Sequence, residues 1–147
     1  MKYSEAKPGR IFIIRLEDGE IIHEEIERFA QDHSINAAAI IILGGVDKDS
    51  KLIVGPEEGR VNPINPMEHI LKDVHEAMGT GTLFPDEEGN PVIHIHMSFG
   101  RNDKSLTGCI RSGVNVWEVM EAIIFELIDT NSKRILDEKT GFKLLIP

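Results

Sequence analysis

The chain has 147 residues, 41% hydrophobic and 28% charged, which suits one domain with a sizeable core and excludes a disordered segment. Its net charge is −9, with lysines and arginines scattered singly among acids, and this argues against duplex DNA as a direct ligand, since such binding draws on phosphate neutralisation. The longest apolar run, from Ala37 to Val46, is about half of the ~20 residues that span a bilayer, and the N-terminus has no apolar signal core, so a cytoplasmic location without membrane contact is expected.

Residues 9–17, "GRIFIIRLE", predict a strand stopped by the turn pair Asp18-Gly19. Ile22, Ile26, Phe29 and Ala30 then recur at helical spacing, with acids in the first turn where the helix dipole favours them. This helix ends near His33, and His23 and His33 read as solvated residues on or beside its polar face. "NAAAIIILGGV", 36–46, predicts a buried strand whose Gly-Gly end bends or packs closely rather than cradling a phosphate. "SKLIVGP" predicts a short strand, and 57–69, with two prolines and two asparagines, a loop or irregular edge.

Residues 69–83 are ambiguous, although Gly79-Thr80-Gly81-Thr82 favours strand because alternating glycine is poor in a helix. A turn at 85–90, a strand at 91–99, a turn at 100–105 and a strand at 106–110 follow. Residues 114–128 are apolar throughout and fit a long helix or a buried strand; Val114, Val116 and Val119 favour strand for at least the first half. The chain ends in a turn at Thr140-Gly141 and a final strand. This order predicts a single α+β domain over 1–147, with a largely antiparallel sheet flanked by helices.

One cysteine, Cys109, excludes an internal disulfide and leaves a thiol free for other work. It follows "PVIHIHMSF", in which strand alternation puts His94 and His96 on one face and Ile93, Ile95 and Met97 on the other, the natural core side. A turn brings "LTGCI" back antiparallel. An even loop such as Asn102-Asp103 pairs positions of odd sum and places Cys109 on the histidine face; an odd loop places it on the other. Two neutral imidazoles and a thiolate are sound Zn²⁺ ligands, and three protein ligands with a fourth position open is the reactive rather than the closed pattern. The bland alternative is two strand histidines and an inert buried cysteine. Cys109 as a nucleophile with His94 or His96 as base is a further alternative, but no oxyanion feature is legible. A hairpin around 85–90 brings Thr80 and Thr82 near the histidines and leaves His75 beyond the pairing. His69 and His75 would reach the site only from a neighbouring subunit or by an unforeseen loop.

These stretches together resemble the PPC (plants and prokaryotes conserved) domain family, over nearly the whole chain. Arg15, Leu16, Gly19 and Glu20 match the family opening, Gly44 its glycine turn, "GTGTL" its Thr-Gly-Thr segment and "IHIHMSFG" its His-x-His strand. In "TGCIRSG", Gly108 and Gly113 match, Thr107 replaces a glycine, and Cys109 stands where the family has histidine. The resemblance implies an α+β fold assembling as a homotrimer, with clustered histidines that in some prokaryotic members look like metal ligands. Cysteine for histidine keeps a zinc-competent, softer donor. The AT-hook that supplies DNA contact in the plant proteins has no counterpart here.

The expectation is therefore a cytoplasmic homotrimer binding metal, Zn²⁺ above others, through His94, His96 and Cys109. One alternative is a DNA-associated or partner-binding regulatory module without catalysis. Another is a metal-dependent enzyme on a small molecule, with Arg15, Arg111 or Glu118 as substrate-binding candidates. Both leave a small molecule or a protein as partner.

Overall fold

Among the described residues, eight strands form one continuous antiparallel sheet, and one helix seals one of its faces. The computed structural model describes residues 1–60, 64–111 and 113–147. The elements run β1 (Lys7–Glu17), α1 (Ile22–Asp32), β2 (Ala38–Val46), β3 (Lys51–Pro56), β4 (Pro66–Ile70), β5 (His75–Pro85), β6 (Pro91–Arg101), β7 (Lys104–Ile110) and β8 (Val116–Ile128). Their order in the sheet is β1-β8-β2-β5-β6-β7-β3-β4. A separate two-stranded hairpin, β9 (Lys133–Asp137) and β10 (Phe142–Ile146), ends the chain.

The inner face forms because alternate residues of the central strands are branched or long apolar side chains. Ile40 and Ile42 of β2, Ile95 and Met97 of β6, and Met120 and Ile124 of β8 are all at most 1% exposed. They meet Ile22, Ile26 and Ala30, the buried stripe of α1, in one cluster. Each fully buried isoleucine contributes about 1.5–3 kcal/mol relative to exposure, so this seam supplies much of the folding drive.

Several expectations are sharpened. The sheet is antiparallel as expected, but one helix, not several, flanks it among the described residues. Residues 116–128 are strand throughout, not only in their first half, because β8 lies between β1 and β2 and is paired on both edges. The ambiguous 69–83 segment resolves into β5 from His75. The expected loop or irregular edge at 57–69 ends in the exposed edge strand β4, opened by Pro66 where no ladder donor is needed; positions 61–63 within it lie outside the described residues. At Gly44, a Cβ would sit 2.3 Å from the Val119 carbonyl oxygen, so the Gly-Gly end of β2 serves close packing at a bulge.

Candidate metal centre

The outer face of the sheet carries the site. The β6–β7 register runs from Arg101↔Lys104 to His96↔Cys109, so the loop is the two residues Asn102-Asp103, with Asn102 at φ 55. The pairs have an odd sum, and Cys109 lies directly across from His96. On the other edge of β6, Thr80 faces His96 and Thr82 faces His94. One cross-strand row thus reads Ile13, Ile123, Ile41, Thr80, His96, Cys109, Ile53 and Glu68 across all eight strands.

The Gly-Thr-Gly-Thr segment sets this geometry. A Cβ at Gly79 would lie 2.3 Å from the His96 carbonyl oxygen, and one at Gly81 2.4 Å from that of His94. Only glycine lets β5 approach the histidine strand this closely. The alternating threonines supply hydroxyls instead, and that of Thr80 donates to the Ile40 carbonyl at 2.9 Å.

The three donor atoms, the two imidazoles' and the Cys109 sulfur, all lie within 4.8 Å of one another. His94 Nε2 and His96 Nε2 are 3.0 Å apart. Tetrahedral zinc with Zn–N of about 2.0–2.1 Å requires nitrogens roughly 3.3 Å apart, so the donor set fits such an ion. The His94 pKa is pushed down to about 4, first by burial and then by the neighbouring Arg134, His96 and Arg111. His94 is therefore a neutral ring with a lone pair at neutral pH. Cys109 is buried, His94 half-buried and His96 exposed, so the cluster opens outward past His96.

Of the other candidates, only Arg111 joins the cluster, donating from Nε to Cys109 Sγ at 3.4 Å. Arg15 sits on β1, four strands from β6 or about 19 Å, and pairs with Glu17. Glu118 lies in the β8 bulge at φ 61, three strands away, with its amide donating to Asp18. His75 donates from Nδ1 to the Asp73 carbonyl, and it lines a separate cavity with His69; neither approaches the cluster. His33 is packed on Phe29, ring centroids 4.2 Å apart.

A residue that sequence reasoning missed is Arg134. It is 4% exposed, donates from Nη2 to the Thr82 hydroxyl at 2.8 Å and from Nε to the Val92 carbonyl at 3.3 Å, and so ties the β9–β10 hairpin over the histidine face. Lys143 helps from β10, pairing with buried Asp86 at 2.8 Å and holding that carboxyl down at about 2. Nothing in "SKRILDE" separates Arg134 from a solvated strand arginine.

Comparison with known proteins agrees with this architecture. The crystal structure of a metal-containing protein from Archaeoglobus fulgidus superposes with a TM-score of 0.86 at 24% identity, over 100% of both chains. That of a plant- and prokaryote-conserved (PPC) protein from Pyrococcus horikoshii gives 0.85 at 24% identity, over 100% of this chain and 98% of the other. A candidate DNA-binding protein from Bacteroides thetaiotaomicron gives 0.76 at 15% identity over 96% of each. At these identities the likenesses establish the fold. No match was found among curated proteins. The model of the Plants and Prokaryotes Conserved (PCC) domain matches residues 3–128, from before β1 to the end of β8, and so takes in the whole sheet and the His-x-His strand. The chain belongs to the PCC domain family.

Proposed function

We propose that this protein is a cytoplasmic, homotrimeric zinc-binding protein whose ion is held by His94, His96 and Cys109. The observation that carries the reading is the convergence of two imidazoles and a thiol within 4.8 Å on one sheet face. The metal-containing character of the Archaeoglobus fulgidus protein supports it. With three protein ligands, a bound zinc ion would supply Lewis acidity and a water of pKa ~7 at its fourth position. Assembly is supported by the rest of the same face, where the apolar side chains of Ile11, Ile13, Ile41, Leu43 and Met78 are between 46% and 86% exposed. No helix among the described residues is long and apolar enough to cross a membrane. Duplex DNA is the weaker ligand for a chain of net charge −9, whatever the role of the Bacteroides protein.

Elemental analysis of untagged protein tests the site. About one zinc per chain is expected, falling below ~0.2 in Cys109→Ala and in His96→Ala. A wild-type content already below ~0.2 and unchanged by Cys109→Ala would sink the assignment. Light scattering should give a mass three times that of the 16.4 kDa chain.

A further inference from the structure

A cavity of about 550 Å³ opens beside the histidine pair, under the β9–β10 hairpin. Val92, His94, Arg111, Arg134, Phe142 and Leu144 line it. Its walls are apolar on the hairpin side, and two guanidinium groups stand at the end nearest His94.

Those guanidiniums lack a counter-ion. Among the described residues neither Arg111 nor Arg134 takes part in an ion pair, although the chain has 25 acidic residues to draw on. Burial first, and then the neighbouring Arg111, disfavour the charged form of Arg134. Lys143, the other cation of the cavity wall, is neutralised by Asp86. Burying a cation without a carboxylate costs several kcal/mol, and placing a second cation beside it adds to that. Tethering the hairpin does not account for it. That role uses Arg134 Nε and Nη2 as neutral donors would, and a glutamine or asparagine could serve.

The donors that remain point to an oxyanion. Nη1 of Arg134 and both Nη atoms of Arg111 make no hydrogen bond to any described residue; Arg111 is exposed, and Arg134 has no buried nitrogen without a partner, so these atoms face accessible space. Arg111 is fixed by Cys109 on one side and by the Phe142 ring, 4.9 Å from its Cζ, on the other. Preorganised planar guanidiniums suit the two oxygens of a carboxylate. Phe142, Leu144 and Val92 offer apolar contact to whatever carries it. Arg134, Phe142 and Leu144 all lie beyond residue 128, where the family match ends, so the cavity is built by the C-terminal hairpin laid over the family's sheet.

We propose that this cavity binds a small organic carboxylate, its acid group between Arg111 and Arg134 and its apolar tail against Phe142 and Leu144, beside the His94–His96–Cys109 cluster. The assignment rests on the arginines and the cavity and stands with or without a metal at the cluster.

Hexanoate, its neutral amide hexanamide and inorganic phosphate serve as probes, titrated at constant ionic strength into ¹⁵N-labelled, metal-stripped protein. Hexanoate should give saturable shifts at Gly141–Leu145 and at the Arg134 side chain, with half-saturation below ~10 mM. Hexanamide and phosphate should each bind ~10-fold or more weakly, as should hexanoate to Arg111→Gln and Arg134→Gln. Arg111 makes no hydrogen bond to the hairpin, touching it only at the Phe142 ring, so its variant guards against loss of fold in the other. His96→Ala should keep hexanoate binding while losing zinc, which separates this assignment from the metal reading. Absence of saturable hexanoate shifts overturns it. So does hexanamide or phosphate binding as tightly as hexanoate, or unchanged affinity in both arginine variants.

Discussion

The outer face of the sheet has two halves built to opposite rules. On β1, β8 and β2 it shows bare isoleucine and leucine: Ile13 is 86% exposed and Ile11 63%. On β5, β6 and β7, in the same cross-strand rows, it shows Thr80, Thr82, His94, His96 and Cys109, roofed in part by a hairpin that buries an arginine. Apolar groups lie open where polar ones are covered. Each arrangement is costly for an isolated chain, the first through hydrated hydrocarbon and the second through a desolvated charge. The inner face, sealed by α1, has no such inversion. The contrast is what the two proposals above draw on: a second copy against the bare half and small ligands at the polar half.

The most drastic way to break the contrast is to make the bare half polar. Ile13→Asp combined with Ile41→Asp should reduce the mass seen by light scattering from threefold to that of the 16.4 kDa chain. Each aspartate removes about 1.5–3 kcal/mol of apolar burial per interface and adds a charge to be desolvated. Zinc content per chain should not change, since all three donors come from one chain. An unaltered mass would show that the subunits join elsewhere.

A smaller effect is expected beneath the polar half. Gly81→Ala puts a Cβ 2.4 Å from both the His94 carbonyl oxygen and Ile95 Cγ1, so β5 and β6 must separate. We expect a loss of about 2–4 kcal/mol, or roughly 5–12 °C in Tm. Gly100→Ala is the control: its nearest neighbour is 3.8 Å away, and thermal unfolding should move by less than about 0.5 kcal/mol. Equal losses in the two variants would deny the close approach its role.

These two halves were unequally legible in the sequence. The His-x-His alternation put the two histidines on one face, but the sequence left the loop's parity open; the two-residue loop Asn102-Asp103 settles it and carries Cys109 to them, because strand parity is rigid once loop length is set. Thr80 and Thr82 followed from the same parity. The bare isoleucines of β1 and β2 were hidden, because a run such as Ile40-Ile41-Ile42 reads as buried on both faces whether or not the second cover belongs to the same chain. Arg134 was hidden for another reason. Its burial depends on a contact with Thr82, 52 positions away, and on a hairpin that local pattern placed nowhere in particular. The length of β8 was underread because Ala122, Phe125 and Leu127 carry helix and strand signals alike, and only pairing with β1 and β2 decides between them.

A third prediction concerns the seam between the bare half and the chain end. Glu126 on β8 accepts from Arg10 Nε and Nη2, both at 2.7 Å, and from its amide at 2.9 Å. These bonds hold its carboxyl down at about 2 from 4.5. A depressed carboxylate contributes stability that is complete above its unfolded pKa and is lost as pH falls through the folded one. Glu126→Gln should therefore cost about 1–2 kcal/mol at pH 7 and progressively less from pH 4.5 towards 2, read as converging urea midpoints. A constant difference across that range would mean that packing, not charge, is what the glutamine disturbs.

The smallest effect should come from the one hydroxyl that joins hairpin to sheet. Thr82→Val keeps the side-chain shape and strand propensity but leaves Arg134 Nη2 without its acceptor. Global stability should fall by about 1 kcal/mol or less, because Leu83, Ile93 and the rest of the inner core are untouched. The local consequence should exceed the global one. An isolated two-stranded hairpin is marginal in water, and β9–β10 keeps the Arg134 Nε bond to the Val92 carbonyl, the Lys143–Asp86 pair and the Leu136 amide to Glu87 as its other polar tethers. Amide exchange in Lys133–Asp137 and Phe142–Ile146 should thus quicken about three- to tenfold while β8 amides hold their rates. Uniform acceleration through β8 would instead make the hairpin part of the core's cooperative unit, and the polar half of the face would then be as firmly covered as the inner one.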